Sequence, residues 1–124
     1  GINPLPKQQP IPIWFGGQAD AVLKRAATFG NGWIPLGNPG SNSAKALDKI
    51  NGFLMDAGRD PKQFGIEAWI RFGDGNPDSW VKTAQKWREL GADHLTFYTS
   101  GQGAGSTEQQ IERMSQFYEV CSSL

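Results

Sequence analysis

Short apolar runs alternate four times with apolar positions at helical spacing. Ile11-Pro12-Ile13-Trp14-Phe15 forms the first run, and Gly16-Gly17 ends it. From about Asp20, the residues Leu23, Ala26 and Ala27 fall on one helical face, and Gly30 stops the helix. Gly32-Trp33-Ile34-Pro35-Leu36 is the second run, closed by the loop Gly37-Asn38-Pro39-Gly40-Ser41. A second helix is expected from near Ser43, with Leu47, Ile50 and Leu54 in register and Gly58 at its C′ position. The third run extends from Phe64 to Phe72. Ile66, Ala68, Ile70 and Phe72 share one face of it, and Glu67, Trp69 and Arg71 share the other. Asn76-Pro77 reads as N-cap and first residue of a third helix carrying Trp80, Ala84 and Trp87, which Gly91 ends. The fourth run is His94 to Thr99. After Gly101-Gln102-Gly103-Ala104-Gly105, Ser106 and Gln109 offer a capping box, and Ile111, Met114, Tyr118 and Cys121 form the expected apolar stripe of the last helix.

Strands alternating with helices predict an α/β fold with a parallel sheet built from four consecutive βα units. The expected organisation is a single domain over residues 1–124, with residues 1–10 as an extended, proline-bearing arm. A (β/α)8 barrel needs eight strands and about 250 residues. The chain therefore reads as half of a TIM-type barrel. Such a half leaves two unpaired sheet edges and one uncovered face. The Glu67/Trp69/Arg71 face is too polar for a helix layer and too aromatic for open water, so it suits a barrel interior. A homodimer about a two-fold axis would pair each first strand with the partner's last strand. The alternative is a separate N-terminal half-barrel chain as partner.

Charge narrows the partners. Twelve acidic residues balance twelve basic ones, and no basic run or acidic tail is present. This gives no electrostatic reason to expect nucleic acid or an anionic membrane surface. No apolar run approaches the roughly 18 residues of a membrane span. Gly1-Ile2-Asn3-Pro4 lacks the character of a signal peptide, and one cysteine permits no intrachain disulfide. A reducing cytoplasm is the expected setting.

Candidate chemistry gathers at the carboxyl ends of the strands. Gly16-Gly17 lies between a strand and a helix, where backbone can approach a ligand and a helix N-terminus offers N–H groups to an anion. The competing reading is a tight turn needing positive φ. Leu36-Gly37-Asn38-Pro39-Gly40 and residues 101–105 belong to the same end, where parallel sheets and barrels bind ligands. No dinucleotide fingerprint or Walker loop is present. His94, the one histidine, stands at the start of its strand, the end associated with stability, and no cluster suggests zinc. Cys121 reads as a buried, inert thiol. Glu67 and Arg71 read either as the polar wall of a substrate cavity or as an ion pair or hydrogen-bond network in the barrel centre. Tyr98 and Thr99 lie toward the ligand end of the last strand.

Several segments resemble a known family. Asn3-Pro4-Leu5-Pro6 through Ile11-Pro12-Ile13-Trp14-Phe15-Gly16-Gly17 is similar to the entry to the fifth strand of luciferase-like monooxygenases. Leu23 to Phe29, followed by Gly30-Asn31-Gly32-Trp33-Ile34-Pro35-Leu36-Gly37, resembles the next helix and strand, with Asn31 where the family usually has Asp. Ala57-Gly58-Arg59-Asp60-Pro61 and Gly91-Ala92-Asp93-His94-Leu95 match later landmarks. The likeness covers nearly the whole chain and is closest to deazaflavin-dependent members. It implies the C-terminal half of a (β/α)8 barrel that transfers hydride or activates oxygen through reduced FMN or a deazaflavin of the coenzyme F420 type. It also implies that Phe15, Gly16 and Gly17, with Pro35, Leu36 and Gly37, hold the cofactor's phosphate. The family's first four strands supply much of the ring pocket and the usual catalytic side chains, so the resemblance assigns no catalytic residue here. A half-barrel that only self-associates, binding at most an anionic ligand, is the alternative expectation.

Overall fold

The computed structural model describes residues 3–73, 75–99, 105–122 and 124. Among these described residues four strands and four α-helices alternate: β1 Trp14–Gly16, α1 Asp20–Phe29, β2 Gly32–Ile34, α2 Ser41–Asp56, β3 Gly65–Arg71, α3 Pro77–Glu89, β4 His94–Tyr98 and α4 Thr107–Cys121. The strands lie in chain order, β1-β2-β3-β4, and every neighbouring pair is parallel. This is the open, unclosed half-barrel sheet of four βα units that the alternation predicts.

Local chemistry explains most boundaries. The Asn76 side chain accepts from the Asp78 amide, and Pro77 opens α3. Ser106 and Gln109 form the reciprocal capping box of α4. Gly58 and Gly91 take positive φ just beyond α2 and α3, where a side chain would be strained. The first strand is shorter than its apolar run. Ile11 and Ile13 lie outside it and are more than half exposed, because no strand stands on that side of β1 to cover them. Helix α2 starts at Ser41, two residues before the expected Ser43.

Two clasps hold the strand entrances. The Asn31 amide donates to the Ile13 carbonyl at 2.7 Å, and its side-chain Oδ1 accepts from the Ile13 amide at 3.0 Å. Asp93 does the same to Ile66, at 3.0 and 2.8 Å. Asn and Asp share the oxygen acceptor that this clasp uses, so Asn31 is no handicap.

The helices cover one face of the sheet. Leu23, Ala26, Trp33, Leu47, Ile50 and Leu54 form the core under α1 and α2, with Phe15 and Ile66 packed against it. Ile70, Trp80, Ala84 and Cys121 form a second core under α3 and α4, joined by Phe97 and Phe117. The stripe expected for α4 is rotated. Ile111, Met114 and Tyr118 are exposed, whereas Phe117, Val120, Cys121 and Leu124 pack inward. Aromatic contacts decide this orientation. Phe97 and Phe117 stack at 4.2 Å and both approach Trp80, so residue 117 faces the sheet.

The sheet parts between β2 and β3. These strands pair only at Gly32↔Gly65 and Trp33↔Ile66, while β3 and β4 pair over five residues. The Ile34 carbonyl is taken by the Gly17 amide on the β1 side. The next amide facing β3 would belong to residue 35, and proline has none. The ladder stops, and the upper part of β3 stands apart from β2.

Candidate functional site

The face of the sheet away from the helices carries a continuous set of side chains. At its lower end the Trp14 indole lies across two glycines. A Cβ on Gly32 would come within 2.2 Å of this ring, and one on Gly65 within 2.3 Å. The same ring meets His94 edge-on at 5.6 Å. His94 therefore packs at the amino end of its strand, as its sequence position suggests. The role of Trp14 was not legible locally. The sequence signal was the pair Gly32 and Gly65, each opening a strand, but only the register brings both under one ring.

Above this floor, Glu67 Oε1 accepts from Thr96 Oγ1 at 2.7 Å and from Trp69 Nε1 at 3.2 Å. The hydrogen-bond network expected of Glu67 is thus present, with Thr96 and Trp69 as partners. Among the described residues, Glu67 and Arg71 form no ion pair. Trp69 stacks on Tyr98 at 6.0 Å with planes 18° apart. Thr99 points the other way, buried, with its hydroxyl on Gln110 at 3.3 Å.

The six residues expected to hold a phosphate gather at the carboxyl ends of β1 and β2, though in unlike settings. Phe15 packs against the helix-side core. Gly16 ends β1, and a Cβ there would touch the Leu36 side chain at 3.7 Å. Gly17 has φ of +123°, its amide is bonded to Ile34, and its carbonyl accepts from Trp33 Nε1 at 2.6 Å. The glycine pair thus serves its turn first. Pro35 is buried, Leu36 is 60% exposed, and a Cβ on Gly37 would crowd the Gln18 amide at 2.9 Å. The stretch 101–105 lies outside the described residues except for Gly105.

The two nearby helix starts differ in their fitness for an anion. Helix α1 has Asp20 in its first turn, which repels one, although Lys49 pairs with that carboxylate at 2.7 Å. Helix α2 has no acidic residue in its first turn and no side chain capping it, so its first amides have no partner within the helix. A crevice of about 330 Å³ lies there, lined among others by Gln18, Gly37, Asn38, Ser41 and Asn42. A phosphate group suits this donor set of backbone amides, side-chain amides and hydroxyls.

A larger cavity of about 590 Å³ occupies the parting between β2 and β3. Pro35, Leu36, Gly37 and Asn38 line one side, the ends of β3 and α3 the other. Among the described residues no group of three or more His, Cys, Asp or Glu could hold a metal ion, and no helix is long and apolar enough to cross a membrane. Cys121 is buried, and desolvation raises its thiol above the ordinary 9.0.

The luciferase-like monooxygenase family matches the chain over residues 2–119, and the chain belongs to that family. Among solved structures, one similar fold is an F420-dependent secondary alcohol dehydrogenase in complex with an F420-acetone adduct. It shares 16% identity with a TM-score of 0.46, over 93% of this chain and 42% of that one. Another is a coenzyme F420 dependent tetrahydromethanopterin reductase from Methanopyrus kandleri, at 14% identity and a TM-score of 0.45, over 89% of this chain and 42% of that one. The chain spans about two fifths of the length of these structures. No curated protein matches it.

Proposed function

We propose that this chain is the cofactor-phosphate half of a flavin- or deazaflavin-dependent oxidoreductase barrel, corresponding to the family's C-terminal half. The observation that carries the reading is the neutral, uncapped start of α2, which opens into a crevice beside Gly37 in a chain of this family. Phe15, Gly16 and Gly17 shape the first wall, and Pro35, Leu36 and Gly37 the second. The amides of residues 41–43 and the side chains of Gln18 and Asn38 meet the phosphate. A reduced FMN or F420-type deazaflavin would supply the hydride chemistry. The residues of this chain bind and orient it, and the Glu67-Trp69-Tyr98 face forms one wall of the barrel interior.

A second half must complete that interior. The two sheet edges are open, and Trp69 and Tyr98 are 38% and 41% exposed on the inner face. A second copy related by a two-fold axis, or a separate N-terminal half-barrel, meets the same edges. Sedimentation of the purified chain, alone and with a supplied N-terminal half, separates these partners.

The cofactor reading is tested by titrating FMN, riboflavin and a deazaflavin while following their fluorescence. FMN is expected to bind at least about tenfold tighter than riboflavin, since charge-assisted hydrogen bonds contribute roughly 1.5–3 kcal/mol. Equal affinity for both, or no binding at high micromolar ligand, would remove the phosphate claim. A half-barrel that self-associates without cofactor is the alternative, favoured if dimers form and neither ligand binds.

A further inference from the structure

We propose that the parting between β2 and β3 is a binding site for a small organic anion, with Arg71 as its anchor and Trp69 as the wall for its planar body. The cavity lies where the β2–β3 ladder stops, and Pro35, which has no amide to continue that ladder, lines it. Among the described residues that line it, Arg71 is the one that carries a charge. Among the described residues its guanidinium makes no hydrogen bond or ion pair, while the nearest carboxylate on its own face, Glu67, is engaged by Thr96 and Trp69. Ser79, in the first turn of α3, also lines the cavity and carries a hydroxyl. Thr83 lies one turn on, with its hydroxyl already donated to the Ser79 carbonyl at 2.7 Å, so its oxygen is left as an acceptor. Trp69 has one ring face against Tyr98 on the β4 side and borders the cavity on the β2 side.

A forked cation, a hydroxyl donor and a free aromatic face fit a carboxylate or phosphate ester attached to a flat or apolar body. A neutral compound of the same shape would leave the guanidinium without a counter-charge. The inference does not rest on the cofactor reading, although Pro35, Leu36 and Gly37 border both places. The start of α2 is the place proposed for a cofactor phosphate, so the anion taken here belongs to a separate substrate.

The test is tryptophan fluorescence of the 124-residue chain titrated with phenyl phosphate, benzoate and phenol. Both anions are expected to bind about tenfold tighter than phenol, a charge-assisted bond being sufficient for that ratio. Arg71→Gln is expected to abolish the preference, and Arg71→Lys to retain part of it, with unchanged circular dichroism. Ser79→Ala, on an exposed helix position, is expected to weaken phenyl phosphate alone by about threefold, near the lower range for one hydrogen bond. Equal binding of all three compounds, or an Arg71→Gln chain that keeps the preference, overturns the proposal. Simultaneous binding of FMN and phenyl phosphate is expected, and displacement of phenyl phosphate by FMN would overturn the assignment to a separate substrate. Failure of both FMN and the deazaflavin to bind while Arg71 still selects anions leaves this inference standing and removes the cofactor reading.

Discussion

On the helix side of the sheet, Phe15, Trp33, Ile70 and Phe97 pack into two apolar cores, and Trp33 and Ala68 are wholly buried. On the opposite side, the same strands carry Trp14, Glu67, Trp69, Arg71, His94, Thr96 and Tyr98. Successive residues of one strand thus enter two environments. The helix side is finished within this chain, so its side chains contribute to folding. The other side forms local pairs, such as Glu67 with Thr96 and Trp69 with Tyr98, yet leaves large rings in contact with solvent. An exposed aromatic and polar face of this kind is the sort of surface that binding sites use.

Substitutions can break this contrast, beginning with the helix side. Trp80 is 2% exposed, donates to the Phe72 carbonyl at 2.9 Å and contacts three phenylalanine rings. Trp80→Ala is expected to cost about 3–5 kcal/mol, seen as a large drop in the urea midpoint. Gly32→Ala probes the floor of the inner face. Its Cβ must displace the Trp14 ring, so a loss of about 1–3 kcal/mol is expected, with a shifted tryptophan emission. Ser106→Ala removes one half of the α4 capping box, and about 1 kcal/mol should follow by the same denaturation.

Trp69→Ala sharpens the comparison from the other side. The ring is partly exposed, so the isolated chain should lose no more than about 1 kcal/mol, although the Glu67 hydrogen bond and the Tyr98 stack are removed. Binding of aromatic ligands should fall far more than stability does. A stability loss like that of Trp80→Ala would show the inner face to be a folding core, and the contrast would fail.

The smallest effects concern titration. The Ser106 side chain, and then the backbone amide of Glu108 itself, hold the Glu108 carboxyl below its ordinary value of 4.5. Its contribution is present above that value and is lost as pH falls through the lowered pKa. Desolvation raises the Cys121 thiol above 9.0, so its contribution is complete below 9.0 and lost as pH rises through the raised pKa. Alkylation of Cys121 should be slow in the folded chain and fast in urea, and equal rates would contradict its burial.

Legibility followed the range of the interaction concerned. The alternating faces of β3, the caps at Asn76 and Ser106, and the stops at Gly58 and Gly91 rest on residues a few positions apart, and all were readable. The stripe of α4 was not. Tyr118 and Phe117 are both aromatic, and only the position of Phe97 on a distant strand selects between them. The two glycines beneath Trp14 and the partners of Glu67 were hidden for the same reason, since each depends on strand register. The candidate phosphate loops were visible as glycine-rich turns, but the difference between the starts of α1 and α2 needed the fold.

By itself, the sequence determined four βα units, the order of strands and helices, and which strand face would be apolar. These follow from the periods of helix and strand and from backbone restrictions at glycine and proline, all of which act locally. Tertiary structure alone decided the parting between β2 and β3, the aromatic floor, and the exposure of Trp69 and Arg71 along one cavity. Those features depend on which backbone amides face which neighbour, and a strand acquires that property only when another strand lies beside it.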